Sequence, residues 1–425
     1  STDTLGHVSD QLYDYATGKV KRNVDANGAI HQYIYDSVGR PIEEDQSDQI
    51  TPATLVTKTT YAYTDNVFPS KSQMVSYLNV ATTTDNHTYF DGLGRKIQER
   101  SEGETGNYSV KDTVYNALGL LSEESLPYFA TSSQWSSATS TRYLFTNYSY
   151  DALKRTTGVG TILGTTTNAY NLWTTVITDP LSRVKTLSHD AYGNLIQVLE
   201  NNAGTIGTTT YTYDLNDNLT KVTDAAANIR NFTYDNLGRR TGAEDLHAVG
   251  DGTFGSYSYT YDAAGNRTSQ TDPKSQVINY TFDPLNRQLT EDYVSSSGTD
   301  TTYTYDSCTY GIGRICVAST TAARTQYAYS PLGLTVISTS TVNGTAYPTS
   351  YTYDRQGNVV SYTNPDGSQV SYIYNLAGLL AQVSKKTAAS DWNVVTSHSN
   401  YSPFGKVGKI LFNFSDDQLY HPNIK

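Results

Sequence analysis

A Tyr-Asp pair, followed closely by Gly and then by Arg or Asn, recurs along the whole chain. Clean copies stand at Tyr35-Asp36-Ser37-Val38-Gly39-Arg40, Tyr234-Asp235-Asn236-Leu237-Gly238-Arg239, Tyr261-Asp262-Ala263-Ala264-Gly265-Asn266 and Tyr353-Asp354-Arg355-Gln356-Gly357-Asn358. Phe90-Asp91-Gly92-Leu93-Gly94-Arg95 replaces the tyrosine, and degraded copies begin at Tyr150-Asp151, His189-Asp190, Tyr213-Asp214, Phe282-Asp283, Tyr329-Ser330, Tyr374-Asn375 and Tyr401-Ser402. The spacing settles near 21 to 27 residues, as between Tyr213, Tyr234, Tyr261 and Phe282. Such a period is the signature of an array of one supersecondary unit, whose neighbours bury each other's faces. Function is therefore expected from the array before any single residue.

The segment before each turn alternates, as in Tyr211-Thr212-Tyr213-Asp214 and Tyr259-Thr260-Tyr261-Asp262. Period two with Tyr and Thr predicts a strand with both tyrosines on one face. The Asp can accept hydrogen bonds from the turn backbone, and the Gly supplies the positive φ of a three- to five-residue hairpin loop. Asp36, Asp91, Asp235, Asp262 and Asp354, with Gly39, Gly94, Gly238, Gly265 and Gly357, are accordingly read as structural turn residues. A second strand follows each turn and closes on another, as at Thr271-Asp272-Pro273-Lys274 or Asn364-Pro365-Asp366-Gly367.

About fifteen such hairpins would make on the order of thirty strands at ~4.8 Å spacing, a sheet too wide to stay flat. With 37 Tyr but only 37% hydrophobic residues, a sandwich core is under-supplied, while 17% charged residues is too few for disorder. The expected fold is all-β: a repeat array of antiparallel β-hairpins forming a curled strip or open hollow shell, with tyrosines stacked between strands. Residues 1–409 form one repeat segment. Insertions near 43–57, 68–87, 127–147, 243–256 and 385–400 are read as loops or extended hairpins, and 410–425 as a non-repeat tail.

A net charge of −11 without a basic cluster argues against nucleic acid as a partner, and no apolar run is long enough for a membrane-spanning helix. Seven histidines are scattered from His7 to His421 without metal-ligand spacing, and no nucleophile triad or phosphate loop stands out. No catalytic, cofactor-binding or metal residue is assigned, no cofactor is expected, and the chain is read as non-enzymatic. Calcium wants six to eight oxygens, more than one Asp-x-x-Gly turn offers. Cys308 and Cys316 flank a segment containing Gly311 and Gly313. They either face each other across a hairpin as a disulfide or remain small buried thiols.

The motif at Tyr35 to Arg40 and Tyr234 to Arg239 resembles the signature of the Rhs or YD-repeat family, and the resemblance runs over residues 1–409. Tyr89 to Arg95, with Asp112-Thr113-Val114-Tyr115 and Ser125-Leu126-Pro127-Tyr128-Phe129, resembles more narrowly the central region of bacterial Tc-toxin B components and their virulence-plasmid relatives. The resemblance implies a β-strip cocoon that encloses a toxic polypeptide. The chain would then be a shell segment of an exported bacterial toxin, secreted or at the cell surface. Its partners would be the enclosed cargo, the rest of the shell and other toxin-complex components. Teneurins, similar in their repeat shell, use it for adhesion, so an adhesive or glycan-binding module is one rival reading. A polysaccharide-active β-solenoid enzyme is the other. The family's closing Asp-Pro-x-Gly motif has no match at Asp179-Pro180, Asp272-Pro273 or Asp283-Pro284, so no self-cleaving site is assigned. No toxin domain is expected after Gly405-Lys406.

Overall fold

The computed structural model describes residues 1–137, 144–202, 204–295, 298–387 and 390–413. Among them are 36 strands and a single short 3-10 turn at Glu104–Gly106, so the chain is all-β. Successive strands pair antiparallel: Thr205–Tyr213 lies between Leu195–Asn202 and Leu219–Thr223, and Gln369–Tyr374 between Val359–Thr363 and Leu380–Lys386. The meander is interrupted twice. Tyr128–Ala130 pairs back onto residues 108–110, while Leu121–Ser125 pairs with Phe145–Tyr150. Likewise His247–Ala248 pairs with Asn228–Tyr234, while Arg240–Glu244 pairs with Ser256–Tyr261.

Alternation acts as the sequence predicts. In Ser256–Tyr261 the three tyrosines are half-buried on one face, while Ser256, Ser258 and Thr260 are exposed. Cross-strand tyrosines then meet, as in Tyr351–Tyr362 and Tyr362–Tyr372, each with ring centroids 6.2 Å apart. At repeat tyrosines such as Tyr35, Tyr213, Tyr234, Tyr261 and Tyr353 the register slips by one residue: Thr260 opposes Ser269 but Tyr261 opposes Arg267. This bulge turns the strand into the following loop.

The chain divides into two compact units. The first holds the described residues within Ser1–Thr113, Leu126–Tyr143 and Tyr303–Lys425; the second holds those within Val114–Ser125 and Leu144–Thr302. Every fully buried hydrophobic side chain among the described residues, including Ile30, Leu78, Tyr89, Val110, Tyr128 and Tyr401, belongs to the first unit. The second is a strip whose cohesion rests on strand ladders, half-buried tyrosines and turn locks. Residues 43–57 and 68–87 form extended hairpins: Pro41–Ser47 pairs with Leu55–Thr64, and Ser70–Tyr77 with Thr83–Phe90. Lys409–Phe412 adds a strand beside Asn393–Ser399. Parts of three segments singled out in the sequence, 138–143, 388–389 and 414–425, lie outside the described residues.

Candidate functional site: turn locks, a seam and a buried polar cluster

Where an aspartate follows the repeat tyrosine it closes the turn, and Asn375 or Ser402 does so in its place elsewhere. Asp235 Oδ1 accepts the backbone N–H groups of Leu237 (2.9 Å) and Arg239 (3.0 Å), while Oδ2 accepts Arg239 Nε (2.7 Å). The Gly238 N–H donates to the Asp235 carbonyl, and Gly238 sits at φ 74°. Asp36 with Arg40 and Asp91 with Arg95 repeat this pattern, with Gly39 at φ 83° and Gly94 at φ 74°. At Asp262 and Asp354 the second donor is an amide, from Asn266 and Asn358, each at 2.8 Å, with Gly265 at φ 91° and Gly357 at φ 89°. Both carboxylate oxygens of each turn thus serve the turn itself, and the five turns stand at separate points of the strip without converging on one site. The Arg239 backbone N–H, helped by its guanidinium, holds the Asp235 carboxyl below the usual carboxylate range, and the Asn266 amide does the same for Asp262.

Two roles escaped the sequence reading. The repeat tyrosine reaches back to the preceding repeat: its hydroxyl donates to the carbonyl of the first residue after the previous turn. Examples are Tyr35 to Val20 (2.7 Å), Tyr234 to Leu219 (2.9 Å), Tyr261 to Arg240 (2.8 Å) and Tyr374 to Val359 (2.9 Å). The turn arginine then covers the next repeat's ring, with Arg40 4.1 Å from the Tyr63 centroid, Arg155 4.3 Å from Tyr170 and Arg239 4.9 Å from Tyr261. Recurrence of the Tyr, and of Arg or Asn four residues after most of the turn aspartates, was the available signal. Degraded copies keep the same turn without glycine: Lys154, Asp217 and Asn286 occupy its position at φ 64°, 62° and 61°.

Cys308, in the turn 306–314, forms a disulfide with Cys316 of the following strand Ile315–Thr320, with Cα atoms 5.4 Å apart. Gly311 lies against both sulfurs, so closely that a Cβ would collide with them. The next residue, Ile312, exchanges two backbone hydrogen bonds with the Asn27 side-chain amide at 2.8 and 3.0 Å.

That contact opens a seam inside the first unit. Because the strands alternate in direction, all post-tyrosine turns fall on one rim of the strip and the remaining turns on the other. Along the seam, post-tyrosine turns of residues 303–413 meet the opposite rim of residues 1–113. At the turn after Tyr353, the Arg355 N–H donates to the Leu78 carbonyl (2.9 Å), and Gln356 Nε2 donates to the Tyr77 (2.9 Å) and Lys58 (3.1 Å) carbonyls. Gln46 and Gln49 return bonds of 2.7 Å to the Arg355 and Asp354 carbonyls. Farther on, Ser109 Oγ donates to Pro403 O (2.7 Å) and the Tyr401 N–H to Glu104 Oε2 (3.0 Å). The cavities beside these contacts, of 220 and 260 Å³, fall below the usual range of ligand sites, about 300–1,000 Å³.

A second feature of the first unit is a buried polar cluster on strands Thr83–Phe90, Lys96–Glu102 and Tyr108–Tyr115. Arg100 is only 2% exposed. It donates to Gln98 Oε1 (2.7 Å), Ser132 O (2.6 Å) and Ser136 Oγ (2.8 Å); Gln98 and Tyr128 in turn donate to Asp112. Burial pushes the His87 imidazole down, its Nε2 lies 2.7 Å from Asp85 Oδ2, and its buried Nδ1 has no partner. The cluster fastens the segment after Ala130 over the sheet. Among the described residues, no group of three or more His, Cys, Asp or Glu is placed to hold a metal ion.

Comparison with known proteins matches this architecture. The teneurin YD-shell model covers residues 168–308, the RHS repeat model residues 329–369 and 353–389, and a domain of unknown function (DUF6443) residues 66–186. No curated protein sequence matches the chain. Residues 168–308 and 329–389 carry teneurin YD-shell and RHS-repeat sequence. The fold of the chain is that of Tc-toxin shells. It is similar to TcdB2-TccC3-Cdc42 over 95% of its length, with a TM-score of 0.82 at 15% identity. TcdB2-TccC3 without its hypervariable C-terminal region gives 0.81 over 95% at 15% identity. The Photorhabdus luminescens Tc holotoxin pore with a mutated TccC3 gives 0.82 over 97% at 14% identity. The chain spans 27% of the length of each of these.

Proposed function

We propose that this chain is a non-enzymatic wall segment of an exported Rhs/Tc-type toxin, which encloses a polypeptide cargo and keeps it from solvent, proteases and the producing cell. The observation that carries the reading is the likeness to TcdB2-TccC3 over 95% of the chain. It is supported from within by the economy of the polar groups, since turn carboxylates are consumed by their own backbones and turn arginines by neighbouring rings. Groups spent in this way hold a wall together and are poorly placed for acid–base chemistry. The cargo is an unfolded or loosely folded chain held by sequestration, with half-buried tyrosine faces as sequence-tolerant contacts. The wall acts alongside other components of a toxin complex and is secreted or displayed at the cell surface.

The test is protease protection. The chain is produced together with the polypeptide encoded after it and digested with a nonspecific protease. Survival of that polypeptide, against rapid loss of the same polypeptide alone, is the expected result. Equal digestion rates would refute enclosure.

A further inference from the structure

The seam gives a rule for how such a strip meets another: post-tyrosine turns lie on the opposite rim of a neighbouring arc. At the seam these docking tips are covered, with Pro331 fully buried and Arg355 and Gln356 tied to carbonyls, whereas tips of the first unit away from the seam, at Tyr15, Val38 and Leu93, are exposed. The second unit carries the same rim bare. Its tips bear Leu153, Leu172, Trp173, Tyr192, Leu215 and Leu237, with exposures from 57% for Trp173 to 104% for Leu215. The strands between them pair in unbroken antiparallel order from Phe145–Tyr150 to Asn228–Tyr234, so these tips form one line. At two strands per tip the line repeats every ~10 Å. A row of large apolar side chains at the tips of polar turns is unlike scattered surface leucines, and marks an interaction edge.

The other rim of the same unit is also apolar: Ile162, Leu163 and Leu181 are exposed at its turns. One rim therefore offers apolar tips and the other an apolar receiving edge, on opposite ends of the same strands. We propose that the post-tyrosine rim of the second unit is a docking edge for the opposite rim of another YD-repeat strip, which in solution is met in a second copy of this chain. Such a contact pairs two different surfaces. It is heterologous, so copies add one after another, into a ring where the rotation closes and an open filament where it does not. The occupant follows from the seam, where the same pair of rims already meets, and from the apolar character of both edges.

The experiment uses the whole chain. Sedimentation velocity across a concentration series should reveal stepwise association. A triple substitution L153Q/L215Q/L237Q, with the β circular-dichroism signal retained, should weaken it at least about tenfold, because three apolar tips lose their burial. Orientation is read by cross-linking, the two native cysteines being paired in a disulfide. A mixture of L215C and L163C chains should cross-link between the two variants in preference to either variant with itself. Three results would each overturn the proposal: a chain that stays monomeric at its highest soluble concentration, association untouched by the triple substitution, or cross-links confined to L215C with L215C.

Discussion

Replacing Gly265 by valine isolates the conformational cost of the turn lock. Gly265 sits at φ 91°, and a Cβ built on it meets no atom within 4 Å, so packing contributes nothing to the penalty. What remains is the backbone. An L-residue in the left-handed region costs roughly 1–2 kcal/mol, and a β-branched residue extends the range to about 3 kcal/mol. At Gly238 the same change also brings a Cβ to 3.2 Å from Asn218 Oδ1, so its cost should be the larger. Asparagine tolerates this region and Asn286 already occupies the equivalent place, so Gly265→Asn should cost least, then Gly265→Ala, then Gly265→Val. The reverse substitution carries the opposite sign. Lys154 holds φ 64°, and Lys154→Gly should relieve about 1–2 kcal/mol of strain. Glycine's extra freedom in the unfolded chain gives back about 0.5–1 kcal/mol, leaving a gain near 0.5–1 kcal/mol. Repeat arrays need not unfold in one step, so the assay is amide hydrogen exchange at the turn and its two strands, with thermal unfolding beside it. An exposed strand change, Thr167→Val, serves as the neutral reference. A Gly265→Val protein matching that reference, or a destabilised Lys154→Gly protein, would refute the assigned turn conformation.

Removing one hydroxyl in Tyr261→Phe should cost about 0.5–1.5 kcal/mol through loss of the bond to the Arg240 carbonyl, measured by denaturant unfolding. Tyr259→Phe should be near neutral, because the Tyr259 hydroxyl has no hydrogen-bond partner among the described residues. The turn carboxylates Asp36, Asp214, Asp235 and Asp262 are all held below their ordinary value by hydrogen bonds of their own turns. Their contribution is present above the unfolded carboxylate value of about 4 and is lost as pH falls through the folded values, so the melting temperature should drop below about pH 4. Asp235→Asn should flatten that drop, and an unchanged acid profile would count against the lock. Reducing Cys308–Cys316, eight residues apart, should cost about 2–3 kcal/mol by the loop-entropy estimate. Exchange at Ile312, which pairs with Asn27, should quicken first.

The sequence carried the strands and the turns, because alternation and Asp-x-x-Gly act over a handful of residues. Tyr259-Thr260-Tyr261 fixes a face by period two, and Asp262 fixes a loop by what its carboxylate can reach. Lys154, Asp217 and Asn286 looked like degraded copies because a glycine rule cannot register side chains that tolerate strain. The seam left no local trace. Arg355 and Gln356 look like ordinary loop residues, and their partners Thr57, Lys58 and Tyr77 lie 279 to 298 positions away. Arg100 was equally silent, since an isolated arginine in a strand is ordinarily solvated and only the return of Ser132 and Ser136 over it buries the charge. Pattern reading reaches as far as neighbouring hairpins; contacts between distant arcs depend on how twist accumulates, which no single window encodes.

The backward reach of the repeat tyrosine also sets a direction of assembly. Val20, Leu219 and Arg240 each present a carbonyl that is captured only when the next tyrosine arrives, 15 to 21 residues later. A chain emerging from the ribosome can therefore fasten its hairpins in order of synthesis, each newcomer completing its predecessor and leaving one acceptor open for its successor. The seam obeys a different clock: Asn27 must wait 285 residues for Ile312. Growth is stitched locally and early, and closure comes last, so a ribosome that stalls midway leaves a secured strip with its final stitch still open.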